Sequence, residues 1–282
     1  MKVVKTIPEL KEFVQTEKKA GRQIGLVPTM GFLHEGHLSL AEKARKENDI
    51  VIMTIFVNPL QFGPGEDFER YPRDLERDEK LAASAGVDCL FVPEVEEMYP
   101  QPSIITMTVT GRADKLCGEK RPGHFDGVAT VVTKLFHLTE PDKAYFGLKD
   151  AQQFAVIAGL VESLNFPVEV IGVETIREED GLAKSSRNVY LTEDERSKAP
   201  HLQKALQLGV QTAERGKKSP AEIKQLTNDY LQSHAGAAVD YVELLSYPEL
   251  EPLEKAHGKM ILAAAIKYSK ARLIDNIIFN LN

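Results

Sequence analysis

Up to about residue 175 the chain alternates short, nearly continuous apolar runs with stretches of helical spacing, and this alternation leaves few folds open. The apolar runs are Gln23–Pro28, Ile50–Val57, Val87–Pro93, Ile105–Thr110, Lys143–Phe146 and Val168–Val173. Between most of them lie Pro8–Ala20, His37–Asn48, Asp74–Ala85, Val128–Thr139 and Ala151–Leu164. In the last of these, Phe154, Ile157, Ala158 and Val161 fall on one helical face. Strand, helix, strand repeated in this way predicts an α/β fold: a parallel sheet covered by helices, with strands apolar on both faces because both are buried. From Ile176 the character changes. A charged turn, Arg177–Gly181, precedes a polar helical stretch from Thr192 to about Ala235, then strand-like runs at Tyr241–Leu245, Met260–Tyr268 and Leu273–Phe279. Helices followed by strands predict a smaller α+β domain. The expected division is 1–176 and 177–282.

Composition narrows the function. Over 282 residues, 43% hydrophobic and 27% charged is an ordinary globular balance, and a chain of this length buries enough core to need no disulfide or metal staple. The net charge of −7, with no basic tail, argues against electrostatic capture of nucleic acid. Two lone cysteines, Cys89 and Cys117, form no C-x-x-C and fit a reducing compartment. No apolar run reaches the roughly 18 residues of a membrane span, and none follows Met1 as a signal peptide would. A cytoplasmic enzyme with no membrane partner is expected.

Gln23–Met30 runs straight into Gly31-Phe32-Leu33-His34-Glu35-Gly36-His37: strand, glycine-containing turn, helix start. Ligands of open α/β sheets bind at strand carboxyl ends, where the next helix aims its N-terminal N–H groups and positive dipole end, a setting that suits phosphate. Gly31-x4-Gly36 has phosphate-loop spacing, but His37 and Leu38 stand where that motif needs Lys and Ser/Thr, and no G-x-G-x-x-G occurs. What remains is His34-x-x-His37. Two imidazoles in one turn can hold phosphate oxygens whose charge grows in a transition state. The same pair also suits a plain helix cap; a zinc site lacks a third ligand.

Pro28-Thr29-Met30-Gly31-x-Leu33-His34-Glu35-Gly36-His37 resembles the signature of the pantoate–β-alanine ligases, a family of the nucleotidylyltransferase superfamily. Further blocks agree in order: Phe56–Phe62, Tyr71-Pro72-Arg73, Arg121–Val128, Phe146–Gln153 and Arg177–Asn188. The resemblance implies a Rossmann-like nucleotide-binding domain with a C-terminal lid. It also implies formation of pantothenate, AMP and pyrophosphate from pantoate, β-alanine and ATP through a pantoyl adenylate, with Mg²⁺ accompanying ATP, in a homodimer joined through the N-terminal domain. It places Met30, Gly31, Phe32, Leu33, His34, Glu35, Gly36 and His37 at ATP, together with Gly147, Leu148, Lys149, Asp150, Ile176, Lys184, Ser185, Ser186 and Arg187. His34, His37, Lys149, Ser186 and Arg187 are the expected catalytic set, and Gln61 and Gln153 the pantoate contacts. Leu148 departs from the family, which usually has Glu there.

The residues carry physical readings of their own. Asn58 and Gln61 follow a strand end and offer amide donors and acceptors suited to a hydroxy acid. Lys149 can neutralise phosphate and Asp150 can cap the next helix. Lys184-Ser185-Ser186-Arg187 is basic and hydroxyl-rich, fit to wrap a triphosphate, or simply a solvated loop. Asp78, a hard oxygen ligand in a charge-dense run, is a candidate for Mg²⁺. Arg121 and His124 sit in a glycine-containing loop with no assigned role. The competing functions are a transferase joining ATP to a phosphorylated metabolite, disfavoured by the amide pair, an RNA-binding synthetase-like protein, disfavoured by charge, and a scaffold that has lost its chemistry, disfavoured by the intact polar set.

Overall fold

The computed structural model describes residues 1–282, which divide into two compact units. The first comprises Met1–Thr110, Lys120–Leu148 and Val156–Glu174; the second comprises Gly111–Glu119, Lys149–Ala155 and Thr175–Asn282.

The first unit is built on six parallel strands: β1 (Lys2–Val4), β2 (Ile24–Thr29), β3 (Ile50–Ile55), β4 (Cys89–Phe91), β5 (Lys143–Gly147) and β6 (Glu169–Val173), ordered β1-β4-β3-β2-β5-β6. Helices α1 (Ile7–Lys19), α2 (Glu35–Glu47), α3 (Leu75–Ser84), α4 (Val95–Met98), α5 (Leu116–Lys120), α6 (His124–Thr139) and α7 (Ala151–Leu164) follow in chain order. Most of α5 and the opening turn of α7 belong to the second unit. Val27, Leu33, Leu40, Met53, Leu90 and Tyr145 form one buried cluster around the sheet. Each such side chain contributes about 1.5–3 kcal/mol by leaving water. From β2 the strand order runs outward through β3 and β4 on one side and through β5 and β6 on the other. That reversal opens a crevice at the carboxyl ends of β2 and β5. Thr29 and Gly147 are the last residues of those two strands.

In the second unit, α8 (Glu193–Lys198), α9 (His201–Glu214) and α10 (Pro220–His234) precede an antiparallel sheet of β7 (Ala238–Ser246), β8 (Gly258–Lys267) and β9 (Arg272–Leu281), ordered β7-β8-β9. Leu202 and Leu206 of α9 and Ile223 and Leu231 of α10 pack with Met260 and Leu262 of β8 in a single core.

Three elements differ from the sequence reading. Ile105–Thr110 is β-branched yet joins no sheet: it lies in an open loop, and Ile104 and Ile105 are 99% and 72% exposed. Strand chemistry without a neighbouring edge makes no strand. Lys2–Val4, too short to register as a run, is an edge strand paired with β4. Helix α6 starts at His124, four residues before the expected Val128, because Gly123 takes a left-handed N-cap (φ 79°) and Gly127 lies inside the helix.

Candidate active site

The histidine turn is built from the end of β2. Thr29 Oγ1 donates to Thr54 O (2.6 Å) on β3 and accepts from Gly31 N (3.2 Å). Gly31 and Phe32 both take positive φ (80° and 50°), a bend that turns the amides of Phe32 and Leu33 towards Asp78. The Asp78 carboxylate accepts from both, Oδ2 from Phe32 N and Oδ1 from Leu33 N, each at 2.7 Å. Asp78 is 1% exposed; burial pushes its pKa up, against the two N–H groups that favour its charged form. Each oxygen thus takes one backbone N–H, and Asp78, expected from the sequence as a Mg²⁺ candidate, pins the turn. No group of three or more His, Cys, Asp or Glu side chains in the structure is arranged to hold a metal ion.

The two histidines cap α2 reciprocally. His34, the N-cap, accepts at Nδ1 from Gly36 N (3.1 Å), and His37 accepts at Nδ1 from His34 N (3.3 Å). Their ring centroids lie 4.1 Å apart. A nitrogen that accepts from a backbone N–H carries no proton, so each neutral ring holds its proton on Nε2. The bonds that satisfy the helix end therefore also set both rings as Nε2–H donors beside a positive helix terminus, an arrangement able to hold phosphate oxygens. Gly36 is required by packing. A Cβ there would stand 2.8 Å from His34 Cε1 and 2.9 Å from Nδ1.

A second turn follows β3. Asn58 caps a short 3₁₀ turn, Pro59–Gln61. Its Oδ1 accepts from Leu60 N (3.3 Å) and Tyr99 OH (2.9 Å), and its Nδ2 donates to Gly127 O (3.1 Å) and Gln61 Oε1 (3.2 Å). An amide offers two donors and two acceptor sites, and all four are used. Asn58, expected from the sequence beside the substrate, is 1% exposed, and all four of its hydrogen-bonding sites are used within the protein. The Gln61 carbonyl accepts from His124 Nδ1 (2.8 Å) and Arg121 Nη2 (3.2 Å). Arg121 also grips Glu66 with two bonds (2.6 and 2.7 Å) and donates to His124 Nε2 (3.0 Å). Arg121 and His124 thus hold the turn from behind. Gly127 admits α6 this close, since a Cβ would lie 2.2 Å from Leu60 O. The remaining predicted residues of this unit, Gly147 and Leu148, stand at the end of β5.

The second unit carries the other predicted residues. Lys149 Nζ lies 3.8 Å from Asp150 Oδ2, and Lys149 O accepts from Asn276 Nδ2 (2.8 Å). Gln153, on the first turn of α7, is half-buried. Its neighbour Gln152, which the sequence reading gave no part, is buried and ties Arg112 O, Lys115 O and Cys117 N to α7 (2.8–2.9 Å). Residues 176–184 form a hairpin closed by Lys184 N donating to Ile176 O (2.9 Å) and turned at Gly181 (φ 95°). Arg177 anchors it through two bonds to the buried Asp275 (2.6 and 3.0 Å). Lys184 pairs with Glu178 (3.2 Å), and Ser185 caps the turn Ser186–Tyr190 by accepting from Arg187 N (3.3 Å). Lys149, Ser185 and Asn188 line one pocket with Asp275, and the Asn188 Oδ1 is buried without a hydrogen bond.

The chain matches the Pantoate-beta-alanine ligase family over residues 2–278. The chain belongs to the pantoate–β-alanine ligase family. A pantothenate synthetase of Geobacillus sp. (strain WCH70) is 57% identical over 277 residues, covering 98% of each chain. Among solved structures, the pantothenate synthetase of Thermus thermophilus superposes with a TM-score of 0.92 at 48% identity, covering 98% of this chain and 99% of that one. The pantoate-β-alanine ligase of Francisella tularensis, solved with β-γ ATP and β-alanine, superposes with a TM-score of 0.81 at 34% identity, covering 99% and 97%. For a pantoate–β-alanine ligase, the residues that sequence reasoning missed share one property. Tyr99 and Gly127 reach Asn58 from 41 and 69 residues away, and Asp78, read only as a metal candidate, bonds to Leu33 45 residues away. The signal available was a polar or glycine residue inside an apolar or helical stretch, as at Gly127.

Proposed function

We propose that this chain condenses pantoate with β-alanine at the expense of ATP. The observation that carries the reading is the His34–His37 pair, two Nε2–H donors fixed by backbone N–H groups at the start of α2. A pantoate carboxylate oxygen attacks the α-phosphorus of ATP and pyrophosphate leaves. The β-alanine amine then attacks the acyl carbon of the pantoyl adenylate, AMP leaves, and the amine's proton passes to solvent. His34 and His37 hold phosphate oxygens as charge builds on them. Lys149, Ser186 and Arg187 supply further donors to the phosphates, with Met30–Gly36, Gly147–Asp150, Ile176, Lys184 and Ser185 around the nucleotide. Gln61 and Gln153 meet pantoate. ATP enters as its Mg²⁺ complex, so the metal arrives as part of the substrate. The alternative, transfer of a nucleotide to a phosphorylated metabolite, gives Gln61 and its supporting turn nothing to do.

Two features support the setting. Cys89 and Cys117 are free and buried, as a reducing cytoplasm allows, and no helix is long and apolar enough to cross a membrane. The charge-free run Gln101–Thr110, with Ile104 and Ile105 exposed, offers a second copy an apolar face in the first unit, in keeping with a homodimer. Mass spectrometry of a reaction holding pantoate, β-alanine and MgATP tests the function. Pantothenate, AMP and pyrophosphate in equal amounts are expected; ADP and phosphate, or no acid–amine product, would overturn it.

A further inference from the structure

The Asn58–Gln61 turn has a direction as well as a shape. Each amide can present either oxygen or nitrogen, and only a neighbour of fixed polarity decides which. Here the deciding neighbours are backbone groups. Gly127 O can only accept, so the Asn58 atom 3.1 Å from it is Nδ2; Leu60 N can only donate, so the atom 3.3 Å from it is Oδ1. Tyr99 reinforces this orientation by donating its hydroxyl proton to the same Oδ1 (2.9 Å). Burial pushes the Tyr99 phenol well above its ordinary pKa and keeps that proton in place. With Asn58 fixed, its second Nδ2 proton points at Gln61, so the Gln61 atom 3.2 Å away is Oε1. Gln61 Nε2 is then turned the other way, and the protein gives it the Met30 sulfur at 3.2 Å, a weak acceptor. His124 and Arg121, both donating to the Gln61 carbonyl, fix the backbone from which this side chain springs.

We propose that Asn58, oriented by Gly127 O, Leu60 N and Tyr99, is the positioning residue that fixes the Gln61 amide with Oε1 on Asn58 and its NH₂ turned away from it, so that the substrate atom meeting that NH₂ is an acceptor oxygen of pantoate. The inference rests on the reading that Gln61 meets pantoate. It sharpens that reading, because an amide free to turn would accept a hydroxyl proton equally well. The acceptor class comprises a carboxylate oxygen or a hydroxyl oxygen whose own proton goes elsewhere. The selectivity is thus set by atoms that never touch the substrate, through a chain from main chain to Asn58 to Gln61.

The wild-type protein gives the direct test. With glutamine side chains labelled with ¹⁵N, the Gln61 NH₂ signal is assigned by its loss in Gln61→Met, and pantoate is titrated while calorimetry records binding separately. Saturation with pantoate should move the Gln61 amide protons downfield and slow their exchange with water. Pantoate binding with no change at that signal overturns the proposal; no binding of pantoate at all overturns the functional reading instead. A double-mutant cycle tests the role of Asn58. Asn58→Leu should raise the KM for pantoate about tenfold with the KM for ATP within twofold. In the Gln61→Met background the same change should add less than twofold, since Asn58 acts through Gln61. A residue that merely supports the fold would weaken both substrates and add its full effect in both backgrounds, and that result contradicts the proposal. If Asn58→Leu fails to fold, Tyr99→Phe repeats the cycle with a smaller step, twofold to threefold in KM for pantoate, absent when Gln61 is Met.

Discussion

The turns after β2 and β3 are held by single buried polar side chains, whereas the Ile176–Tyr190 segment of the second unit combines buried anchors with partly exposed ion pairs. Asp78 and Asn58, each 1% exposed, pin the first two with short bonds to backbone and amide groups. The 176–190 segment is anchored by Arg177 on the buried Asp275 and by Leu182, which is buried in the second unit's core, whereas its ion pairs Arg196–Asp180 and Lys184–Glu178 are partly exposed. Bonds to buried charged groups are worth about 1.5–3 kcal/mol, exposed ion pairs about 0–1. The difference teaches a division of labour: the histidine and Gln61 turns are prearranged by buried bonds, while the ion pairs along the serine-rich segment can break at low free-energy cost.

The sharpest way to break this comparison is at the histidines. His37→Ala should slow adenylate formation by about 10²–10³, roughly 3–4 kcal/mol, with the fold intact. His34→Ala should slow it less and also lower stability by about 1 kcal/mol through the lost cap. Single-turnover rates beside urea melts separate the two. Next comes the pin. Asp78→Ala leaves the buried Leu33 amide and the part-buried Phe32 amide without their partner and should cost about 1–3 kcal/mol for the buried one and less for the other. Adenylation should slow with it, because both histidines follow that turn. Stability lost with the single-turnover rate unchanged would mean that the pin and the chemistry are independent.

Hydrogen exchange sharpens the comparison in the second unit. Amides of residues 178–188 should exchange faster than those of 29–37 without ATP and gain protection when MgATP is added; equal protection throughout would erase the distinction. A smaller effect comes from pH. Burial would raise the Glu66 pKa, but the hydrogen bonds and charge of Arg121 outweigh it and leave it below the ordinary 4.5. A lowered carboxylate pKa adds stability above its unfolded value and loses it as pH falls through the folded one. Wild type should therefore lose stability more steeply than Glu66→Gln below about pH 4.5, as read by melts at stepped pH. The smallest change is Arg196→Ala, about 1 kcal/mol or less, because its pair with Asp180 is half in solvent.

Much of the sheet was legible because buried parallel strands are written as apolar runs bounded by glycine or polar residues, as at Ile24–Thr29 and Ile50–Ile55. Ile105–Thr110 carries the same composition and misled, since composition reports strand propensity and not the presence of a neighbour. The histidine motif was legible because cap and turn are local. The division between touching and positioning residues was not. Asn58 and Gln61 look alike in sequence, and only the approach of Gly127, 69 residues on, uses up one and frees the other. In sequence, Asp78 in its charge-dense run reads as a Mg²⁺ candidate; the structure brings it on α3 to the Phe32 and Leu33 amides.

The central claim is that the prearranged histidine turn acts in a first, acid-activating step that needs no amine. Exchange of labelled pyrophosphate into ATP, with pantoate present and β-alanine omitted, tests it most directly. The account predicts exchange that depends on pantoate and falls by about 10² or more in His37→Ala. Exchange that appears only when β-alanine is added, or that survives His37→Ala within about twofold of wild type, would contradict it.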